Sequence, residues 1–161
     1  MLISEIFKPE NIKLNLESMD KEELFEEMVN FLADAEHLEN RDEILSHLWK
    51  REKKMTTGIA PGIAIPHTHI SSVSLTYGVL GISQKGIDYD SLDGKPVHLV
   101  MLLIGNDKEP EGHLKILKNL SVLLVNPDFY PRIINSKTPR ELTDAIIEFE
   151  DIAQFYPNGK K

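Results

Sequence analysis

The chain has 161 residues, within the span of about 100–200 that one domain ordinarily takes. A chain this long buries roughly 68–70% of its unfolded surface, so it needs no covalent staples, and zero Cys rules out disulfides, thiolate metal sites and a thiol nucleophile. The net charge of −8, with no basic run longer than the Glu52-interrupted stretch at 50–54, argues against nucleic acid and anionic membrane as partners. The opening residues lack a basic segment followed by an apolar one, and the longest apolar run, Val97 to Gly105, is only strand-length. The sequence therefore predicts no signal peptide, no membrane insertion and a cytoplasmic protein.

Helical periodicity begins after Met19. Asp20 reads as an N-cap with Glu23 three residues on, and Leu24, Met28, Phe31, Leu32 and Ala35 repeat along one face. A second helix is expected from the cap Asn40 to about Lys54, with Arg51 in its last turns. The segment 57–66 then loses charge and gains Gly58, Pro61, Gly62 and Pro66 around an apolar Ile63-Ala64-Ile65 insert. It predicts a buried loop entering a short strand that Pro66 ends. Strands are expected at 73–83 and 97–104, joined by a turn through Asp93-Gly94.

The last third returns to helix: one opening at His113, a short one restarting at Asn126-Pro127, and one capped by Thr138-Pro139-Arg140-Glu141. Residues 151–161 read as a frayed tail after a domain at 1–150. Helices, then strands, then helices on one core predict an α/β sandwich with the sheet in the middle.

Among six histidines, His37 and His47 sit on charged helical surfaces, and His98 reads as a hydrogen-bonded core or edge residue. His67 follows Gly62-Ile63-Ala64-Ile65-Pro66, where glycine lets backbones approach and proline freezes the chain. Local chemistry leaves an ordinary strand-end histidine and a positioned functional one equally open. His113, at the expected helix start, is either a surface residue or a group near free N–H donors that favour an anion. Arg51 alone reads as surface.

Two chemistries could use these groups. A neutral His67 ring nitrogen can attack phosphorus while its other nitrogen is held as N–H, and a second His, an Arg or a helix N-terminus cradles the phosphoryl charge. Alternatively His67 and His69 form a metal-binding His-x-His pair for a hydrolase, which requires a further ligand that only Asp107, Glu109 or Glu111 could supply. The phosphoryl reading needs no metal and no cofactor, and Arg51 would repel a metal ion.

At this point three fragments, in order, resemble one family. Arg51-Glu52-Lys53 is followed sixteen residues after Arg51 by His67 in Gly-Ile-Ala-Ile-Pro-His, and then by Gly112-His113-Leu114-Lys115-Ile116-Leu117. With Pro9-Glu10-Asn11-Ile12, they resemble the fructose/mannitol-type enzyme IIA domains of the bacterial phosphotransferase system, including the nitrogen-regulatory branch. The resemblance implies a mixed, roughly five-stranded sheet flanked by helices on both faces. It implies that His67 accepts a phosphoryl group from the phosphocarrier HPr or a paralogue, that His113 assists at the phosphate and that Arg51 helps fix the site. The next acceptor would be a IIB component, or a regulated protein, on another chain. Thr68 stands where members commonly have a small residue and could contact the phosphate; His69 is read as exposed. Ile59, Ala60, Ile70 and Leu114 are the expected apolar contributors to a docking face around His67.

Overall fold

The computed structural model describes residues 1–155. A short helix α1 (Ile3–Ile6) and a 3-10 turn (Pro9–Asn11) lead into β1 (Ile12–Lys13), followed by helices α2 (Lys21–Glu36) and α3 (Arg41–Lys54). Then come β2 (Ile63–Ala64), β3 (His67–Ile70), β4 (Tyr77–Ile87) and β5 (Val97–Asn106), and finally α4 (Pro110–Leu124), α5 (Phe129–Ile134) and α6 (Pro139–Phe155).

Local chemistry sets several of these boundaries. The Asp20 carboxylate accepts the Glu23 N–H at 2.9 Å, and the Glu23 carboxylate accepts the Met19 N–H at 3.0 Å, closing a capping box at the start of α2. At α6, Thr138 Oγ1 accepts from the Glu141 N–H and the Glu141 side chain accepts from the Lys137 N–H. Asn40, expected to cap α3, instead donates its amide to Ser72 Oγ at 2.8 Å, so α3 starts without a side-chain cap. Helix α4 starts at Pro110, three residues before the expected His113, and α5 starts at Phe129 rather than at Pro127. Residues 73–76 precede β4 as irregular chain with a bend at Ser74 and Leu75 instead of opening it. The last helix runs on to Phe155 through the first part of the expected tail, and 156–161 lie outside the described residues.

The five strands form one mixed sheet. β4 and β5 pair antiparallel at its centre, β1 lies parallel to β4, and β2 and β3 both lie parallel to β5. The register shows that β2 and β3 are one edge strand in two pieces, since Ile63 faces Leu99 and His67 faces Leu103 without a slip between. Pro66 explains the break: it has no N–H for the ladder, although its carbonyl still accepts from Leu103 N at 3.0 Å.

Side chains alternate to two cores. One face packs Leu80, Leu99, Met101 and Leu103 against α1, α4, α5 and α6; the other packs Val79, Val100, Leu102 and Ile104 against α2 and α3. This is the sandwich the sequence predicts, helices on both faces. The same alternation corrects one expectation. Ile70 is not on a docking face: it points into the α2/α3 core at 1% exposure, while Ile59 and Leu114 stand 59% and 66% exposed. Ile70→Lys should therefore cost about 3 kcal/mol or more, lowering the melting temperature by roughly 6–12 °C. A melt indistinguishable from that of the parent chain would return Ile70 to the surface.

Candidate functional site

The site is assembled where the edge strand, the end of α3 and the start of α4 converge. Its foundation is Glu52, on the last turn of α3 and only 5% exposed. Its carboxylate accepts from the Thr57 N–H at 2.8 Å, the Thr57 hydroxyl at 2.6 Å, the Tyr89 hydroxyl at 3.1 Å and Lys21 Nζ at 3.1 Å. Burial alone would raise the Glu52 pKa, but the Thr57 and Lys21 contacts outweigh it and hold the carboxyl below its ordinary value. Burial and the adjacent Glu52 charge push Tyr89 up, so its hydroxyl stays a proton donor.

From Glu52 the order passes along the chain. Thr57, fixed by Glu52, accepts the Ile65 N–H on its carbonyl at 3.2 Å. Ile65 in turn presents its own carbonyl to His67 Nδ1 at 2.7 Å. A carbonyl only accepts, so Nδ1 carries the hydrogen and Nε2 keeps a free lone pair. Burial lowers the His67 pKa, partly opposed by the Ile65 hydrogen bond and assisted by the Arg51 charge, so the ring is neutral at pH 7. Arg51 donates Nη1 to the Met55 carbonyl at 3.0 Å, closing the end of α3 within electrostatic range of His67.

His113 faces His67 from α4, with ring centroids 5.8 Å apart. It is the fourth residue of that helix, and its N–H is committed to the Glu109 carbonyl at 3.3 Å, so the expected free backbone donors at His113 itself are not there. Its side chain is 7% exposed and neither ring nitrogen has a hydrogen-bond partner. Burial first, then the neighbouring His67 and His69, push its pKa down to about 4. The ring fits because β5 has a glycine beneath it: a Cβ on Gly105 would stand 2.4 Å from His113 Nδ1.

Thr68 and His69 separate by alternation along β3. Thr68 is buried on the α2/α3 side, which turns its hydroxyl away from the imidazole face. His69 lies on the same face as His67 and is exposed, as expected, but its ring also stacks on His113 at 5.8 Å and 28°. No third ligand joins a His67/His69 pair: among the described residues no group of three or more His, Cys, Asp or Glu is arranged around a metal position. Among the described residues, too, no helix is long and apolar enough to cross a membrane.

The structure thus brings together Arg51, His67 and His113, which the sequence singled out, and turns the Thr68 side chain away from them into the α2/α3 side. Two participants had no distinct sequence signal. Glu52 was legible only as part of Arg51-Glu52-Lys53, and Gly105 only as the end of an apolar strand. A carboxylate one residue from Arg51, with a Thr-rich turn five residues on, was the available hint for the first.

Two neutral imidazoles facing each other across a strand end and a helix, on a mixed sheet between two helical layers, make the fold and arrangement of an enzyme IIA-type domain. The chain belongs to the family described as phosphoenolpyruvate-dependent sugar phosphotransferase system, EIIA 2, whose model matches residues 5–149. It is 36% identical over 146 residues to the fructose-specific EIIABC component of Bacillus subtilis, a match covering 91% of this chain but 23% of that longer protein. It is 32% identical over 146 residues to the fructose-specific EIIA component of Haloferax volcanii, covering 91% of this chain and 95% of that one. Among solved structures, the nitrogen regulatory protein IIA-Ntr of Neisseria meningitidis superposes with a TM-score of 0.82 at 27% identity, covering 89% of this chain and 98% of that one. The mannitol IIA of Escherichia coli, solved in complex with phosphorylated IIB, shares the fold at a TM-score of 0.72 and 20% identity, over 86% and 95% of the two chains.

Two expectations follow from the His113 pocket. Gly105→Ala should displace the imidazole and destabilise the chain by about 1–3 kcal/mol, seen as a lower melting temperature with shifted His113 ring signals in NMR; unmoved ring signals would show that the pocket has slack. The second concerns acid. An unfolded His113 gains a proton near pH 6.5 whereas the folded one resists to about 4, so the unfolded state binds more protons in that window. Stability should fall as pH drops from 6.5 to 4, by roughly 3 kcal/mol from this residue. His113→Gln should flatten that part of a stability–pH curve, and an unchanged slope would contradict the assignment.

Proposed function

We propose that residues 1–150 form a phosphoryl carrier that works in the cytoplasm and is reversibly phosphorylated on Nε2 of His67. The observation that carries this reading is the 2.7 Å contact of Nδ1 with the Ile65 carbonyl, which leaves Nε2 as the one free lone pair of a neutral ring. An HPr-type phosphocarrier presents its own phosphohistidine. The Nε2 lone pair forms the new P–N bond while the old P–N bond breaks and its electron pair returns to the donor ring. The Nδ1–H of His67 stays in place, and the Ile65 carbonyl stabilises the positive charge that the phosphorylated ring acquires.

His113 supplies hydrogen-bonding nitrogen to the phosphoryl group, which relieves its own lack of partners, and Arg51 supplies permanent positive charge. Transfer onward runs the same step in reverse, to a IIB component on another chain. The mannitol IIA bound to phosphorylated IIB supports that partner, and the fructose names of the two curated relatives make fructose the first sugar to test. A regulatory reading, in which the phosphorylation state controls binding to another protein, is favoured by the IIA-Ntr structure.

Incubation with phosphoenolpyruvate, enzyme I and HPr should add the mass of one phosphate, acid-labile and base-stable, and His67→Ala should abolish it. Uptake by His113→Ala but not by His67→Ala is the expected pattern at low residual rate; the opposite pattern would reverse the two roles. Because the His67 pKa is lowered, its reactive neutral form persists below pH 6.5. Titration of His67 itself should therefore cause no fall in the uptake rate between pH 8 and 6.5 and should slow uptake only in more acid solution. Onward transfer to a IIB supports transport, and phosphorylation without it supports the regulator.

A further inference from the structure

His69 is left over once His67, His113 and Arg51 have their roles. It sits two residues beyond His67 on β3, on the same strand face, with its ring stacked on His113. His113 is thus flanked at equal centroid distance by His67 and His69, and its two nitrogens lie buried beneath them without partners. An unpartnered buried polar group is costly to keep, so this cluster is suited to receive a ligand rich in acceptor oxygens.

A phosphoryl group on His67 would bring about 1.5 to 2 negative charges into that cluster. His67 and His113 are both held neutral by burial. Among the described residues Arg51 is the permanent cation acting on His67, and part of its donor capacity already goes to the Met55 carbonyl. The positive charge of the phosphorylated ring is turned toward the Ile65 carbonyl through Nδ1–H, so further charge facing the phosphoryl oxygens has to come from a group that can gain a proton while remaining open to water. The groups around His69 are His67 on its own strand, His113 on α4 and, acting through His67, Arg51 and Glu52 on α3; β5 opposes it with the uncharged Gly105. Of these, only His69 is an exposed imidazole.

We propose that His69 is a phosphate-contacting residue of the phosphorylated form: it turns from its stack on His113, takes up a proton and pairs as imidazolium with the phosphoryl oxygens. This rests on the carrier function proposed above. It makes phosphoryl loading a proton-coupled event. One proton is gained from solvent by His69 as the phosphoryl arrives and is released when it leaves, while His67 keeps its Nδ1–H throughout.

The test follows the His69 ring by NMR across pH 5–9 in the intact chain, before and after loading with phosphoenolpyruvate, enzyme I and HPr. Loading should raise the His69 titration midpoint by about one unit or more. His69→Gln should take up phosphate roughly tenfold more slowly at pH 7 and lose the alkaline fall in loading, while His69→Arg should restore the rate without restoring the pH dependence. An unmoved His69 midpoint, or a His69→Gln rate and pH profile equal to the parent's, overturns the proposal although the mass gain is normal. No mass gain in the parent chain overturns the carrier reading and this proposal with it.

Discussion

A buried carboxylate orders this molecule's working end. Glu52 is surrounded by four donor contacts from Thr57, Tyr89 and Lys21, and without them an ion of that kind would be costly to bury. The consequence reaches beyond electrostatics. The loop after α3 has few apolar anchors of its own, and Glu52 gives it a fixed point at Thr57. From there the Ile65 backbone, and then the His67 ring, inherit their orientation through two further hydrogen bonds. The tautomer of one imidazole is therefore decided by an acid fifteen residues earlier in the chain.

The second constraint is scarcity of solvent. His67 and His113 are neutral because water is largely excluded, and that exclusion is achieved by close backbone approach. Gly105 lets a helix side chain lie close on a strand, and Gly62, at φ +74°, leaves room for the Tyr130 hydroxyl, which would stand 2.7 Å from a Cβ there. Burial that depresses the basicity of both rings leaves the pair strong as hydrogen-bonding and nucleophilic groups and weak as cations. Positive charge is consequently delegated to the rim, to Arg51 and to whatever else can be charged there.

What the sequence made legible was what depends on neighbours in the chain. Asp20 with Glu23, and Thr138 with Glu141, announce helix starts because the capping contacts span only three or four residues. The strand identity of 97–104 was equally plain, since a strand-length apolar run with His98 near its start reads as a central strand. His67 was read as following a strand that Pro66 ends, whereas it opens β3 beyond the proline, and the resemblance to enzyme IIA domains named the companions His113 and Arg51 that the structure gathers about it. What failed depends on distant partners. Asn40 caps nothing because Ser72 competes for it; Ile70 is core because β3 continues the register of β2 through a proline. Glu52 and Gly105 earn their places only through Tyr89, Lys21 and His113, which sequence spacing does not connect.

The interrupted edge strand has one more consequence. A sheet margin with a continuous row of free amides and carbonyls invites another chain to add itself as a further strand. Here one margin is β1, two residues long, and the other is cut at Pro66, where the ring offers no N–H and the preceding Ile65 amide is turned inward to Thr57. At the β2/β3 margin an incoming strand would find two short pieces, of two and four residues, rather than one continuous row. The proposed carrier, which has to meet its partners briefly and repeatedly, is thereby guarded against sticky, backbone-driven association. Recognition at this edge has to proceed through side chains, which can let go.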